Sequence, residues 1–424
     1  MINTDEVTQQ VSEIKINTET TTTKVEDNNN NETETTTVEE NLLEESDRVL
    51  AYFERIKALE PIKGADVIEI ATVLGWRVIV KKGLYKVGDM VVYCEIDSVL
   101  PKWDYFIGDR LDKCQFKIKT IKLRGELSQG YCIPIKQLIA HPERTVTVNY
   151  HKEIKDEIVE LVDTNTKEVI PLQIGYNVTK FIGITKIQDN HGRGRGGGGT
   201  SIFSKVMVKS NLLEFPSFIR KTDQTRIQNC PHYLEDFAQV QFEVTEKLEG
   251  SSITAYHHKG VSGICSRNYE IKNVEESVEI NQVLLKDLNI LERLQKLKLS
   301  IAIQGEIIGP KIQGNIYGLE KSEFRVFDIF LIETQRYATH QERVDIMKQM
   351  ELPWEDYGVP FICEMKLAGK KLSEILDMAN GFSQLKGSRP KVLREGLVFK
   401  SKSVENNRVV TFKSISNQYL LKKE

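Results

Sequence analysis

Lys247 stands in the stretch Glu246-Lys247-Leu248-Glu249-Gly250-Ser251-Ser252, between two segments, 240–244 and 253–256, that alternate in the manner of strands. That context places Lys247 in a short turn between two strands, where Gly250 permits a bend and the close approach of a ligand. A lysine amine attacks a phosphorus or carbonyl centre only when unprotonated. Its ordinary pKa of about 10.4 must then fall, through desolvation or a neighbouring cation. Glu249, two residues on, is free in such a turn to meet a sugar hydroxyl or a metal ion.

More chemistry-bearing residues follow in order. Ser266-Arg267-Asn268 closes a strand over 261–265, and Glu306 ends a buried-looking strand over 301–306. Phe327 lies in an alternating strand over 324–330, and segments 394–400 and 411–414 form a strand pair carrying Glu395, Lys400 and Lys413. Each has a bland reading: strands often end in Glu, Phe327 suits a core, and strand lysines are usually solvated. Together they supply what nucleotidyl transfer requires. Lys247 attacks an α-phosphate while Glu306 and Glu395 hold Mg²⁺, which neutralises phosphate charge and helps keep the amine unprotonated. Lys400 and Lys413 stabilise charge on the transferring group, an aromatic stacks on the base, and Glu249 binds the ribose.

These residues must be positioned by a chain of 424 residues, long enough for two or three domains. No apolar run is long enough to span a bilayer, and the polar, acidic N-terminus is not a secretory signal. Six scattered cysteines without a Cys-x-x-Cys pair argue against a zinc site or a disulfide scaffold, and fit a reducing compartment. The net charge of −3 conceals an asymmetry: residues 1–46 hold 12 Asp/Glu against 2 Lys. The remaining 56 Lys/Arg against 49 Asp/Glu leave the rest at +7, which suits a polyanionic partner.

Residues 1–47, rich in Thr, Asn and Glu and without aromatics, read as a disordered tail. Short glycine-separated strands over 52–56, 67–73, 76–81, 90–96, 116–123 and 131–135 suggest a small OB-type barrel, with Lys81, Lys82, Lys117, Lys119, Lys122 and Arg124 as a basic face. Residues 136–187 extend the barrel and connect onward. The Gly/Arg run in 188–200 formally matches G-x-G-x-x-G but lacks a leading strand and a following helix, so it reads as a flexible linker. Thr222 or Asp223 caps a short helix carrying Arg226, and a leucine stripe over 277–299 predicts a core-packing helix.

In order, Lys247-x-Glu249-Gly250, Ser266-Arg267-Asn268, Gly305-Glu306, Phe327-Asp328, Glu395-Gly396-Leu397-Val398-x-Lys400 and Phe412-Lys413 resemble the motifs of covalent nucleotidyltransferases, the polynucleotide ligases and mRNA capping enzymes. In DNA ligases and capping enzymes an OB domain follows the last motif. Here 11 residues follow Lys413 and the barrel comes first. That order is similar to the Deinococcus-type ATP-dependent RNA ligase family. So are Pro61-Ile62-Lys63-Gly64-Ala65-Asp66, Val87-Gly88-Asp89, Glu95-Ile96-Asp97-Ser98-Val99-Leu100-Pro101, Leu123-Arg124-Gly125, Ser128-Gln129-Gly130 and Lys221-Thr222-Asp223 with Arg226 and Gln228-Asn229. The resemblance spans roughly residues 48–424.

The resemblance implies an α+β protein: an N-terminal OB-type β-barrel over 48–187, then a ligase-type, ATP-grasp-like nucleotidyltransferase domain over 201–424 built of antiparallel sheets with flanking helices. It implies ATP and Mg²⁺ or Mn²⁺ as cofactors. Lys247 would form lysyl-AMP, AMP would pass to an RNA 5′-phosphate, and a 3′-OH would displace it. Glu249 and Arg267 would contact ribose, Phe327 adenine, Glu306 and Glu395 metal and sugar, and Lys400 and Lys413 phosphates. Many relatives carry two lysines in the last motif; Thr411 stands where the first would be, with Lys400 as the substitute charge. The implied partners are RNA ends or a nicked duplex with an RNA 3′-OH strand, for a monomer without membrane contact, in cytoplasm or nucleus, in RNA repair. Two rivals differ: a capping guanylyltransferase usually carries Asp in place of Glu249, and a non-catalytic OB-fold binder gives no reason for Lys247, Glu306, Glu395 and Lys413 to coexist.

Overall fold

The computed structural model describes residues 48–139, 146–150, 158–187 and 211–423. The acidic tail 1–47 and the Gly/Arg stretch 188–200 lie outside the described residues.

The long strand Ala51–Pro61 is buried over its first half on both sides. Ala51 and Phe53 enter one core; Tyr52 and Ile56 enter a second with Trp76, Tyr85 and Tyr93. Five antiparallel strands run in the order Trp76–Lys81, Ile68–Val73, Ala51–Pro61, Met90–Cys94, Tyr131–Pro134. The sheet curls: the Tyr85 hydroxyl donates to the Cys132 carbonyl at 2.7 Å, and the Ile79 N–H to Ser128 Oγ at 2.9 Å. The predicted strand over 116–123 is two strands, Lys117–Ile118 and Thr120–Leu123, in different sheets. The second pairs with Glu126–Gln129 across Arg124-Gly125, both left-handed as a tight hairpin turn requires. The basic face is exposed at Lys81, Lys82, Lys122 and Arg124 and half-buried at Lys117 and Lys119. Residues 146–171 contribute a separate three-stranded sheet, whose Leu161 and Ile170 join the first core.

Two sheets build the second half. Seven strands run Leu212–Glu214, Tyr269–Ile271, Val261–Cys265, Ser251–His258, Ile301–Ile308, Glu323–Leu331, Arg336–Tyr337; four run Phe361–Met365, Phe242–Lys247, Gly396–Ser401, Thr411–Ile415. The two predicted strands flanking Lys247 therefore belong to different sheets. Lys247 is the last residue of its strand rather than part of the turn, because strand pairing with Gly396 carries the ladder that far.

The predicted helix over 277–299 is interrupted. A turn from Val278 runs into a wider π-helical stretch, Asn281–Asp287, and Asn289 adopts a left-handed conformation (φ 48°) before the helix Ile290–Leu297. Asn tolerates that conformation better than most residues, so the break costs little there. The leucines still pack as expected: Leu284, Leu288 and Leu294 are buried in the core of the larger sheet. Thr222 and Asp223 cap nothing; the short helix Ile227–Asn229 starts at Arg226 without a side-chain cap.

Barrel and sheets meet at residues 226–229. Gly75 donates its N–H to the Gln228 carbonyl at 2.9 Å, and a Cβ there would press on the Gln228 backbone. Asn229 receives the Trp76 indole N–H and donates to Glu95 at 2.7 Å, while Arg226 pairs with Asp97 at 3.2 Å.

Candidate active site

Strand register places the lysines. Lys247 pairs with Gly396 and Lys413 with Val398, so Lys247, Val398 and Lys413 share one face of the four-stranded sheet. The opposite face sends Phe242, Val244, Leu397, Phe399 and Phe412 into a core. The larger sheet brings Glu306 opposite Ser252, directly after the Lys247 loop. Gly250 makes this approach possible: a Cβ there would overlap the Ile307 carbonyl and the Glu306 side chain. The Gln313 amide donates to the Gly250 carbonyl at 3.3 Å, and the Tyr317 hydroxyl accepts the Glu249 N–H at 2.8 Å. Tyr317 and Gln313 carried no signal in the sequence; both lie in a loop marked only by the preceding Gly309-Pro310.

The Lys247 ammonium donates to Glu395 Oε1 at 2.6 Å. Burial works to lower its pKa, but Glu395, then Glu306 and Glu249, outweigh it and hold the amine above the ordinary lysine value. The expected depression is thus absent here, because the charges of three carboxylates act on the amine. Burial, then the charges of Glu395 and Glu249, push Glu306 up to about 8 against the opposing pull of Lys247 and Arg267. Burial, helped by the nearby cations Lys247 and Arg226, brings Lys413 down to about 7. The half-exposed Arg267 pairs with Asp223, which the sequence offered as a helix cap and within the family-like stretch Lys221-Thr222-Asp223.

The structure brings together Lys247, Glu249, Glu306, Glu395, Arg267 and Lys413. Lys400 and Phe327 make their contacts with each other and with Asp328. Lys400 shares the Glu243 and Lys247 face, but its ammonium is 2.8 Å from Asp328, both side chains being 3% exposed, and it donates to the Phe327 carbonyl. Asp328 lies 3.8 Å from Arg343, which pairs with Glu243 beside His340. This chain of charges stitches the two sheets together, and burial pushes Lys400 below its ordinary pKa despite Asp328. A sheet irregularity between Gln304 and Gly305 leaves Phe327 as the extra residue between Val326 and Asp328, its ring half-buried and 5.9 Å from the Lys400 ammonium. Among the described residues, no cluster of three His, Cys, Asp or Glu side chains is arranged to hold a metal ion by itself.

A curled OB-type barrel ahead of two antiparallel sheets, with a half-buried lysine among carboxylates at the sheet junction, defines a ligase-type nucleotidyltransferase. An RNA ligase family model matches residues 240–415, and an OB-fold domain model matches residues 50–135. No curated protein matches the sequence. Among solved structures, a Naegleria gruberi RNA ligase variant with ATP and Mn is 33% identical, covering 88% of this chain and 98% of its own, at a TM-score of 0.68. A variant of the same ligase with AMP and Mn is also 33% identical, with 88% and 99% covered and a TM-score of 0.68. The ligase with PPi gives 33%, 88% and 98%, and 0.69. The chain belongs to the RNA ligase family.

Proposed function

We propose that this chain is an ATP-dependent RNA ligase that works through lysyl-AMP, and that Lys247 is its nucleophile. Lys247 Nζ attacks the α-phosphorus of ATP; the P–O bond to the β-phosphate breaks, pyrophosphate leaves, and the amine loses a proton. The AMP then passes to the 5′-phosphate of an RNA end, and the neighbouring 3′-OH displaces AMP to form the phosphodiester. The observation that carries this reading is the convergence of Glu395, Glu306 and Glu249 on the Lys247 ammonium.

That convergence also fits a divalent cation. Two carboxylates whose charges oppose one another, one held at about 8, suit a hard cation completed by water and phosphate oxygens. A Mg²⁺ or Mn²⁺ held by Glu306 and Glu395 would take up their negative charge and let the amine's pKa fall. Lys413, close enough to Lys247 and Arg226 to feel their charge, supplies a cation for phosphate oxygens. Glu249 and Arg267 are assigned to ribose and Phe327 to adenine. Lys400 acts by holding Phe327 and Asp328 in place rather than by touching phosphate.

The barrel ahead of the transferase sheets favours a nicked duplex whose 3′-OH strand is RNA, and RNA repair as the setting. The domain boundaries follow: barrel and connection over 48–187, linker over 188–200, transferase over 201–424, acting as a monomer. Six free thiols and the RNA substrate support an intracellular location; among the described residues no helix is long and apolar enough to cross a membrane.

Incubation with α-³²P-ATP and Mn²⁺ should leave on the wild type a covalent label that survives denaturing electrophoresis and alkali, is lost in acid as a phosphoramidate must be, is released by pyrophosphate and is absent from Lys247→Ala. Label from GTP in place of ATP, or label that survives in Lys247→Ala, overturns the assignment.

A further inference from the structure

Beside the transferase site lies a cleft of about 170 Å³, open to solvent. One wall is the segment Arg220 to Thr225; the other is Arg408 to Thr411, the turn between the strands Gly396–Ser401 and Thr411–Ile415. Its charge is unbalanced. Asp223 is taken by Arg267, and Arg336 by Glu342, whereas among the described residues no carboxylate pairs with Arg220, Lys221 or Arg408.

The backbone carrying these cations is held fixed. The buried Gln304 amide donates to the Arg220 carbonyl at 2.9 Å. The Tyr337 hydroxyl donates to the Lys221 carbonyl at 3.3 Å. At its far end the segment joins the catalytic sheet: the Lys413 N–H donates to the Thr225 carbonyl at 2.9 Å. The cleft therefore adjoins the Lys413 strand, since Thr225 and Thr411 both line it. Exposed arginines on an anchored backbone are free to turn to an anion in the cleft, and arginine suits phosphate oxygens.

We infer that this cleft binds the sugar-phosphate backbone of the RNA strand that receives AMP, with Arg220 and Arg408 gripping phosphates from opposite walls. The inference rests on the RNA-ligation reading and adds to it where the acceptor strand runs. It differs from a nucleotide contact, because neither arginine belongs to the Lys247 group.

The test uses the full chain as wild type, Arg220→Ala/Arg408→Ala and Arg220→Lys/Arg408→Lys. All three should form lysyl-AMP with ATP and Mn²⁺ within about twofold of one another. Transfer of AMP from the pre-labelled Ala variant to a 5′-phosphorylated nicked RNA duplex should be slower by tenfold or more, and the Lys variant should recover most of the rate. Anisotropy with the same duplex should give a salt dependence of affinity shallower by roughly 1.5 to 2 for two lost phosphate contacts. Unchanged transfer and affinity in the Ala variant overturn the inference. So does lysyl-AMP formation that falls as far as transfer does, since the cleft would then serve the triphosphate of ATP. Duplex binding needs no chemistry, so a wild type without lysyl-AMP counts against the ligase mechanism alone, while the anisotropy still judges the cleft.

Discussion

Replacing Lys400 by Met separates a stitching lysine from a phosphate-binding one. The side chain keeps its length and loses its charge, leaving Asp328 buried with Arg343 at 3.8 Å as the nearest remaining cation. Removing one partner from a buried ion pair costs about 3–5 kcal/mol, because the survivor keeps its desolvation penalty. For a chain of this size each kcal/mol lowers Tm by roughly 2 °C, so Lys400→Met should melt on the order of 6–10 °C below wild type. Adding Asp328→Asn removes the stranded charge while Arg343 keeps Glu243, so the double variant should regain at least about 1 kcal/mol relative to the sum of the single changes. Thermal melts of the four proteins supply the cycle. Lysyl-AMP formation, assayed well below the melting range, should survive in Lys400→Met with a raised KM for ATP, since Phe327 is less firmly held. A Lys400→Met protein that melts with the wild type yet forms no lysyl-AMP would refute the reasoning and return Lys400 to the phosphates.

Lys413, held at about 7, is roughly half neutral at pH 7 in the free protein, so binding ATP in EDTA should take up about half a proton. Calorimetry in buffers of different ionisation enthalpy reads this, and the uptake should vanish in Lys413→Met. In stability the sign is the reverse of an ordinary ion-paired lysine: the folded value lies below the unfolded one, so the penalty is full below about pH 7 and fades toward about pH 10.5. Lys413→Met should therefore stabilise the free protein more at pH 6 than at pH 9, measured by Tm. Gly250→Ala should cost about 1–3 kcal/mol by forcing apart the Ile307 carbonyl and Glu306, and should slow lysyl-AMP formation more than it lowers Tm would explain. Asn229→Ala strands the Trp76 indole and takes one of the two partners of Glu95, which keeps Arg48, so a loss of about 1–3 kcal/mol should appear in thermal melts.

Local pattern carried the strands: residues 76–81 alternate, and both they and residues 261–265 end where the structure ends them. The roster of charged residues was legible for the same reason, since each sits at or near a strand end. What the sequence could not display was pairing across distance. Lys247 and Glu395 are separated by 148 positions, and only the assembled sheet shows that the carboxylate holds the amine protonated. Lys400 looked like a second phosphate lysine because its burial depends on Asp328 in another sheet. The break at Asn289 escaped the leucine stripe because periodicity records faces rather than backbone continuity.

The strand that ends in Lys247 has its two pairing partners far downstream, at Phe361–Met365 and Gly396–Ser401. During synthesis the larger sheet's neighbours can pair early, whereas the nucleophile waits for the chain to reach its final hundred residues. A nascent or prematurely terminated polypeptide thus carries Lys247 without Glu395 beside it. On the proposed lysyl-AMP reading, a chain that stops before Glu395 and Lys413 would hold Lys247 without the carboxylate and the cation that complete its site.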